Sequence, residues 1–166
     1  MYAVAAAELL IDLGKTEEAE VYLEERSNVF GHNAGVQQTL GHLAMMNGKD
    51  EEAESRFRTA WTLASEEPAI LEDLINAQMN IERYAEAEHN INMLLEFEGY
   101  EGRRDIHRMR SRCLLELERT MEAREVLLEL TNAKEGKTDL GSWLDLGSVS
   151  YSINDMSRLR QAAQRI

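Results

Sequence analysis

Proline and cysteine are almost absent from this 166-residue sequence, which contains one of each. With one proline and ten glycines, the chain lacks the composition of a linker-rich or disordered protein. The single Cys113 cannot form an internal disulfide, so the sequence carries no sign of an oxidising compartment. Because Cys113 falls within an apolar run, we predict that it is a buried structural thiol.

Long apolar runs and a signal peptide are also missing. No apolar run approaches the ~18 residues that a membrane span needs. The first ten residues lack a basic region and include Glu8, which is untypical of a signal peptide. We interpret the chain as a segment of a longer protein, with a cytoplasmic location favoured and the native N-terminus outside the segment.

Basic residues are scarce in the first part of the chain. The whole sequence has 18 Lys and Arg against 31 Asp and Glu, a net charge of −13. Residues 1–101 hold 6 basic and 21 acidic side chains, net −15, whereas residues 102–166 hold 12 and 10, net +2. Nucleic acids and anionic membranes are bound through basic surfaces, so the acidic first part argues against both as partners.

No pattern of residues indicates a catalytic, cofactor or metal site. The four histidines, at positions 32, 42, 89 and 107, lack the close pairing that is typical of a zinc site. The glycines do not form a phosphate-binding loop, since each fits a turn or a close helix contact. We therefore predict that the chain is not an enzyme and that it binds no cofactor and no metal.

A regular spacing of small residues is the main positive signal. Ala19, Ala53 and Ala87 are 34 residues apart, and so are Gly14 and Gly48. The strings around the three alanines read EEAE, EEAE and AEAE, and a related string, MEAR, follows after a step of 36 residues. Such a period predicts an array of stacked helical hairpins.

The best copy of this unit lies between Leu40 and Ala60. Its spacing predicts two short amphipathic helices joined at Gly48, with Gly41 of the first helix facing Ala53 of the second. A last copy opens at Trp143. Residues 96–102 are the longest turn-like stretch and the candidate hinge.

This pattern resembles the tetratricopeptide repeat family over essentially the whole chain. Two departures are visible: no repeat ends in the usual proline, and Arg110-Ser111 stands where Leu-Gly is expected. The resemblance implies an all-α fold, a right-handed superhelical solenoid of about five hairpins with the last incomplete. We predict Thr16 as an N-cap, Pro68 as the start of a helix, and Ile166 midway through the last one. As a single array, the repeats span approximately 1–33, 34–67, 68–101, 104–137 and 140–166.

The first helices of stacked hairpins line a concave groove, and nine side chains are predicted to lie along it. Polar groups beside methionines suit an extended or helical peptide. The alternative is that any soluble array must place polar residues there. The nine are Gln38, His42 and Met45 of repeat two, Asp73, Asn76 and Met79 of repeat three, and Arg104, Arg108 and Arg112 of repeat four.

The arginines of repeat four form a stripe, since they follow one another at four-residue steps. Arginine suits bidentate contacts with carboxylates, so the stripe can hold an acidic peptide. Alternatively, it pairs with the protein's own carboxylates, for example Glu72 and Asp73. The excess of acids in the chain favours the second interpretation.

The resemblance implies a non-enzymatic scaffold that binds a protein or peptide, an acidic one being one option. A secretion-type chaperone, or a regulatory or assembly module of an enzyme encoded elsewhere in the parent chain, are the alternatives. We also expect self-association through the C-terminal repeat, on the assumption that it exposes Trp143, Leu146 and Leu159.

Overall fold

The computed structural model describes residues 2–30, 32–133 and 139–166. Within these ranges there are ten helices and no strand, which confirms the all-α prediction. The helices are α1 (Tyr2–Asp12), α2 (Thr16–Phe30), α3 (Ala34–Met46), α4 (Asp50–Leu63), α5 (Pro68–Asn80), α6 (Tyr84–Leu94), α7 (Arg104–Glu116), α8 (Thr120–Asn132), α9 (Leu140–Ser152) and α10 (Met156–Ala163).

The chain divides into two compact units, Met1–Arg83 and Tyr84–Ile166. In the first unit, α1 packs on α2, α3 packs on α4, and α5 packs on α4. In the second unit, α6 packs on α7, and the pairs α7–α8 and α9–α10 form hairpins joined through α8 and α9. The predicted hinge at 96–102 lies inside the second unit, between α6 and α7, and does not coincide with the boundary.

The turns inside the hairpins share one backbone geometry. Gly14 and Gly48 have positive φ angles of 73° and 69°, the left-handed conformation that glycine adopts without strain. The amide of the next residue donates to a carbonyl five residues earlier, as in Lys49 N to Ala44 O at 2.8 Å. This bond satisfies a carbonyl at the end of the helix. The 34-residue spacing of the two glycines therefore reflects a recurring helix end.

The recurring alanines of the second helices belong to the core. Ala19, Ala53, Ala87 and Ala123 are fully buried, as the period predicts. A Cβ at Gly41 would lie 2.6 Å from the Phe57 ring, so Phe57 of α4 is its nearest neighbour, and the predicted contact with Ala53 stays a prediction. The glycine makes room for that aromatic side chain.

The predicted helix ends are correct at one position and wrong at two. Pro68 opens α5, where its fixed φ suits the first turn. Thr16 is the first residue of α2 and not its N-cap, since the carbonyl of Lys15 already accepts from Ala19 N at 3.0 Å. The last helix ends at Ala163, so Ile166 does not fall within it.

The departure at Arg110-Ser111 is accommodated within the second unit. Ser111 is buried, and its hydroxyl donates to Arg108 O at 2.8 Å. Arg110 Nε lies 3.7 Å from Glu88 Oε1, an ion pair that holds the arginine where other repeats have leucine. The neighbouring Cys113 is buried as predicted, and this burial raises the pKa of its thiol to about 11.

The core of the second unit includes two residues that we predicted to be exposed. Trp143 and Leu146 are buried and pack with Leu114 and Leu127. Only Leu159, of the three residues assigned to a self-association surface, is partly exposed. The basis of that expectation is therefore wrong for two of its three residues, and self-association itself stays a prediction.

Candidate functional site

The first helices of the hairpins carry the predicted site residues. In each unit we call the outward surface of these helices the first-helix face: it belongs to α1, α3 and α5 in the first unit and, separately, to α7 and α9 in the second. Within each unit, polar side chains connect neighbouring first helices. The two parts are described separately below.

In the first unit, three of the predicted residues meet at one carboxylate oxygen. Gln38 Nε2 donates to Asp73 Oδ2 at 2.7 Å, and His42 Nε2 lies 3.2 Å from the same oxygen. The His42 ring also stands edge-on to Phe57, with the ring centroids 5.0 Å apart. These contacts fix the positions of Gln38, His42 and Asp73, while about half of the His42 side chain stays exposed.

The other predicted residues of this unit differ in exposure. Asn76 is exposed and Met45 is partly buried. Met79 is only 8% exposed, so its placement in the groove is wrong, and it belongs to the core. Of the predicted residues of this unit, all except Met79 are therefore exposed or partly exposed.

In the second unit, Arg104 is held by the start of the next first helix. Its Nε donates to Asp139 Oδ2 at 2.9 Å, and its Nη2 donates to Leu130 O at 2.9 Å. Asp139 also caps α9 by accepting from Ser142 N. Burial of the Asp139 carboxyl raises its pKa, but the hydrogen bonds from Ser142 and Arg104 more than offset this, so the pKa falls to about 2.

Arg108 lies directly over a glycine. Its Nε donates to Asp145 Oδ2 at 2.7 Å, and a Cβ at Gly141 would overlap Arg108 Nη1. The guanidinium therefore occupies space that any larger residue at position 141 would take. Gly141 thus leaves room for the Arg108 side chain, and Asp145 binds its guanidinium.

Arg112 is the exposed member of the arginine stripe. It has no ion pair with any residue that the structure describes. Internal pairing of the stripe thus holds for Arg104 and Arg108, through Asp139 at the N-cap of α9 and Asp145 within α9; the suggested pairing with Glu72 and Asp73 stays a prediction. Neutralisation of two arginines leaves Arg112 as the cation that this part of the face presents to solvent.

The sequence contained a signal for the partners that we did not use. Asp139 follows Arg104 by 35 residues and Asp145 follows Arg108 by 37, both close to the repeat period. In the first unit, Asp73 follows Gln38 by 35 residues. A search for complementary side chains one period apart would have found these pairs.

One cluster of carboxylates resembles a cation site, but basic side chains already occupy it. Glu20, Glu24 and Glu52 place their oxygens within 4.8 Å of one another. Lys49 Nζ lies 2.8 Å from Glu20, while Arg56 Nη2 lies 3.1 Å from Glu24 and 3.3 Å from Glu52. The cluster is therefore an internal ion-pair network. Within the described ranges, no helix has the length and apolar character needed to cross a membrane.

Comparisons with known proteins identify the fold. No protein-family model matches the sequence, and no curated protein matches it. Among solved structures, YrrB, described as a TPR protein with an unusual peptide-binding site, is similar with a TM-score of 0.82 and 15% identity, over 98% of this chain and 82% of YrrB.

Two further structures are similar over nearly the whole chain. MamA from Desulfovibrio magneticus RS-1 gives a TM-score of 0.82 with 13% identity, over 99% of this chain and 89% of MamA. PilF from Pseudomonas aeruginosa gives 0.75 with 16% identity, over 99% of this chain and 73% of PilF. The chain therefore has the helical-solenoid fold of the tetratricopeptide repeat, which confirms the resemblance at the level of the fold.

Proposed function

We propose that this chain is a non-enzymatic interaction scaffold whose first-helix face binds an extended or helical peptide segment of a partner protein. The observation that carries the proposal is the group formed by Gln38, His42 and Asp73. Three polar side chains from two helices are held at one point, and His42 and the neighbouring Asn76 remain accessible. Side chains fixed before binding lose little entropy when a ligand arrives.

The chemistry of this group sets what a ligand must offer. Asp73 is an acceptor, and a ligand donor such as a backbone N–H or a basic side chain suits it. Asn76 both donates and accepts, as a peptide backbone requires, and Met45 adapts its shape to an apolar side chain. The similarity to YrrB supports a peptide-binding role for this fold, since that protein is described as having a peptide-binding site.

In the second unit we propose a contact of the opposite sign. Arg112 is available to a carboxylate of a ligand bound to this unit because it has no ion pair among the described residues, whereas Arg104 and Arg108 bind Asp139 and Asp145. An acidic ligand would thus be anchored at Arg112 and not along the whole stripe. Arginine at such a position offers two parallel hydrogen bonds to one carboxylate.

A display screen tests the first part of the proposal. Short random peptides would be selected for binding to the chain. Their affinities for the original chain and for Asn76→Arg, whose larger side chain blocks the first-helix face, would then be compared by fluorescence anisotropy. We expect at least tenfold weaker binding, on the order of the loss for a central contact residue. The matched control is Asn132→Arg, at the exposed end of α8, which should leave binding unchanged. Equal binding to both variants would place the site elsewhere.

Arg112→Gln tests the second part. Acidic peptides from the same screen should bind several-fold more weakly, with greater loss at low salt, because screening weakens a surface ion pair. The melting temperature should not change, since Arg112 has no internal ion pair among the described residues. If acidic peptides bind Arg112→Gln as well as the original chain, they are not anchored there.

A further inference from the structure

The first-helix face of the first unit carries acids but none of the basic side chains of that unit. Its three helices, α1, α3 and α5, contain no lysine and no arginine. They hold four acidic residues, which are Glu8, Asp12, Glu72 and Asp73. A ligand of this face therefore meets acids of these helices and no base from them.

All six basic side chains of the first unit lie in second helices or directly before them, and each has a partner there. Arg26 lies over the Tyr22 ring, 3.5 Å from its centroid, and the other five form ion pairs with glutamates of α2 or α4. These pairs use up the cations of the unit away from the first-helix face. They are Lys15–Glu18 at 2.9 Å, Lys49–Glu20 at 2.8 Å, Arg56–Glu24 at 3.1 Å, Arg83–Glu54 at 3.5 Å, and Arg58–Glu54.

Asp73 is held in place on this face by a neutral donor. Its Oδ2 accepts from the amide of Gln38 and lies 3.2 Å from His42 Nε2, while its Oδ1 accepts no hydrogen bond from a described residue. In the second unit, by contrast, the guanidinium of Arg108 binds the equivalent Asp145. Asp73 thus keeps one oxygen for a ligand, and no lysine or arginine among the described residues pairs with it.

Two methionines provide apolar surface on the same side of α3 as His42. Met45 and Met46 follow His42 by three and four residues, the spacing that places side chains on one side of a helix. Met46 is 61% exposed, and Met45 is partly exposed. Lysine and arginine have an apolar stem behind the charged group, and the stem packs on apolar surface while the charged group reaches a polar partner. The methionines and Asp73 suit the two parts of one such side chain.

We propose that the first unit recognises a lysine or arginine of its peptide ligand, whose charged group binds Asp73 and whose stem packs on Met45 and Met46. This rests on the proposed function, since it concerns the same face, and it names the class of ligand. Glu8 and Asp12 are exposed and have no ion pair with a described residue, so they add attraction at longer range. Charge complementarity thus selects a basic segment, and like charge rejects an acidic one.

A double-mutant cycle between the chain and its peptides tests this proposal. Peptides from the display screen that bind Asn76→Arg at least tenfold more weakly are taken as ligands of the face. In each peptide, every lysine or arginine is replaced in turn by glutamine, and binding to the original chain and to Asp73→Asn is measured by fluorescence anisotropy. For one base in each peptide, its replacement and Asp73→Asn should each weaken binding by about tenfold. Together they should weaken it by little more than either change alone.

Two further variants separate a local contact from the overall charge of the unit. Glu51→Gln is the matched control, because it removes an exposed acid of α4, and it should change binding by less than about twofold. Gln38→Arg places in the first unit the arginine that the second unit has at this position. It should weaken binding about as much as Asp73→Asn does, because its guanidinium then pairs with the carboxylate. Circular dichroism should show the same helix content in all these proteins.

The outcomes distinguish this proposal from the proposed function. If the peptides of this face carry no base, or if the two losses add in full, the ligand is not recognised through a base at Asp73. Peptide binding by the face would then stand, and the inference would be wrong. If no selected peptide depends on Asn76, the proposed function and this inference fail together.

Discussion

The two units contain the same contact built from different side chains. Asp73 in the first unit and Asp145 in the second occupy one position of the repeat, and Gln38 and Arg108 occupy another. In the first unit the amide of Gln38 donates to Asp73 at 2.7 Å, and in the second the guanidinium of Arg108 donates to Asp145 at the same distance. The first contact joins a neutral group to a charge, whereas the second joins two opposite charges.

This difference shows that the repeat preserves where first helices touch and leaves the charge of the contact variable. With the neutral Gln38 as donor, the first unit keeps the negative charge of Asp73 on its face, while Arg108 cancels that of Asp145. The units as a whole differ in the same sense. Residues 1–83 hold 6 basic and 16 acidic side chains, against 12 and 15 in residues 84–166.

The largest effect is expected from overfilling the alanine positions, which should destabilise both units alike. Ala53→Leu and Ala123→Leu each place a larger side chain in a fully buried site and should cost ~1–3 kcal/mol. Urea unfolding followed by circular dichroism measures the loss. A loss near zero at either position would contradict the shared packing of the two units.

A smaller change in stability is expected at two equivalent glycines, where the same substitution should affect the two units differently. Gly41→Ala meets the Phe57 ring at 2.6 Å and should destabilise by about 1 kcal/mol or more. Gly147→Ala meets only Ala162 Cβ at 3.4 Å, so the better helix propensity of alanine should make it neutral or stabilising, by up to about 1 kcal/mol. The same unfolding measurement applies, and equal losses at both positions would contradict this difference.

The paired contact of the second unit can be broken from either side. Arg108→Gln replaces the ion pair with an amide–carboxylate contact like that of the first unit. It should lower the free energy of unfolding by ~0.2–1 kcal/mol, as is usual for a partly exposed ion pair. Gly141→Ala should displace the same guanidinium while keeping its charge. In thermal melts, the loss of stability of the double variant should be smaller than the sum of the two single losses. Full additivity would mean that Gly141 does not position Arg108.

The smallest effect concerns acid stability. The pKa of Asp139 is about 2 in the folded chain and ~3.9 when unfolded, so its stabilising contribution is complete above pH ~4 and is lost as the pH falls through about 2. Asp139→Asn keeps the helix cap and removes the charge. The free energy of unfolding of the original chain should exceed that of the variant by about 0.5 kcal/mol at neutral pH and should match it near pH 2. A gap that persists at pH 2 would exclude this titration as the cause.

Features of this fold that depend on residue spacing can be predicted from the sequence, whereas features that depend on the neighbouring helix cannot. The alanine series lies buried as expected, because a side chain enclosed in a packed core has little freedom in size. Glycine marked the turns at positions 14 and 48, but nothing marked those at Glu82, Glu118 and Asn154, which adopt φ near 60° in the matching turns. At Glu82 and Glu118 the helix end imposes this geometry on a residue type that does not favour it, whereas asparagine at 154 tolerates it better than most residues.

The candidate site shows the same division. The spacing of the arginines placed them on one helix, but the capping role of Asp139 and the space above Gly141 decide which of them are engaged. Met45 and Met79 occupy equivalent positions, yet only Met79 is buried. Burial is set by the adjoining helix, whose side chains differ from one repeat to the next, so equivalent positions do not share one environment.

The buried Cys113 gives the second unit a natural reporter of its own opening. It is the single cysteine of the chain, and a thiol whose pKa is raised to about 11 is almost entirely protonated at neutral pH. Since the thiolate is the reactive form, an alkylating reagent should modify Cys113 only in molecules whose α7 has separated from its neighbours. The labelling rate would therefore measure the free energy of local opening in the second unit, with no added probe and no signal from the first.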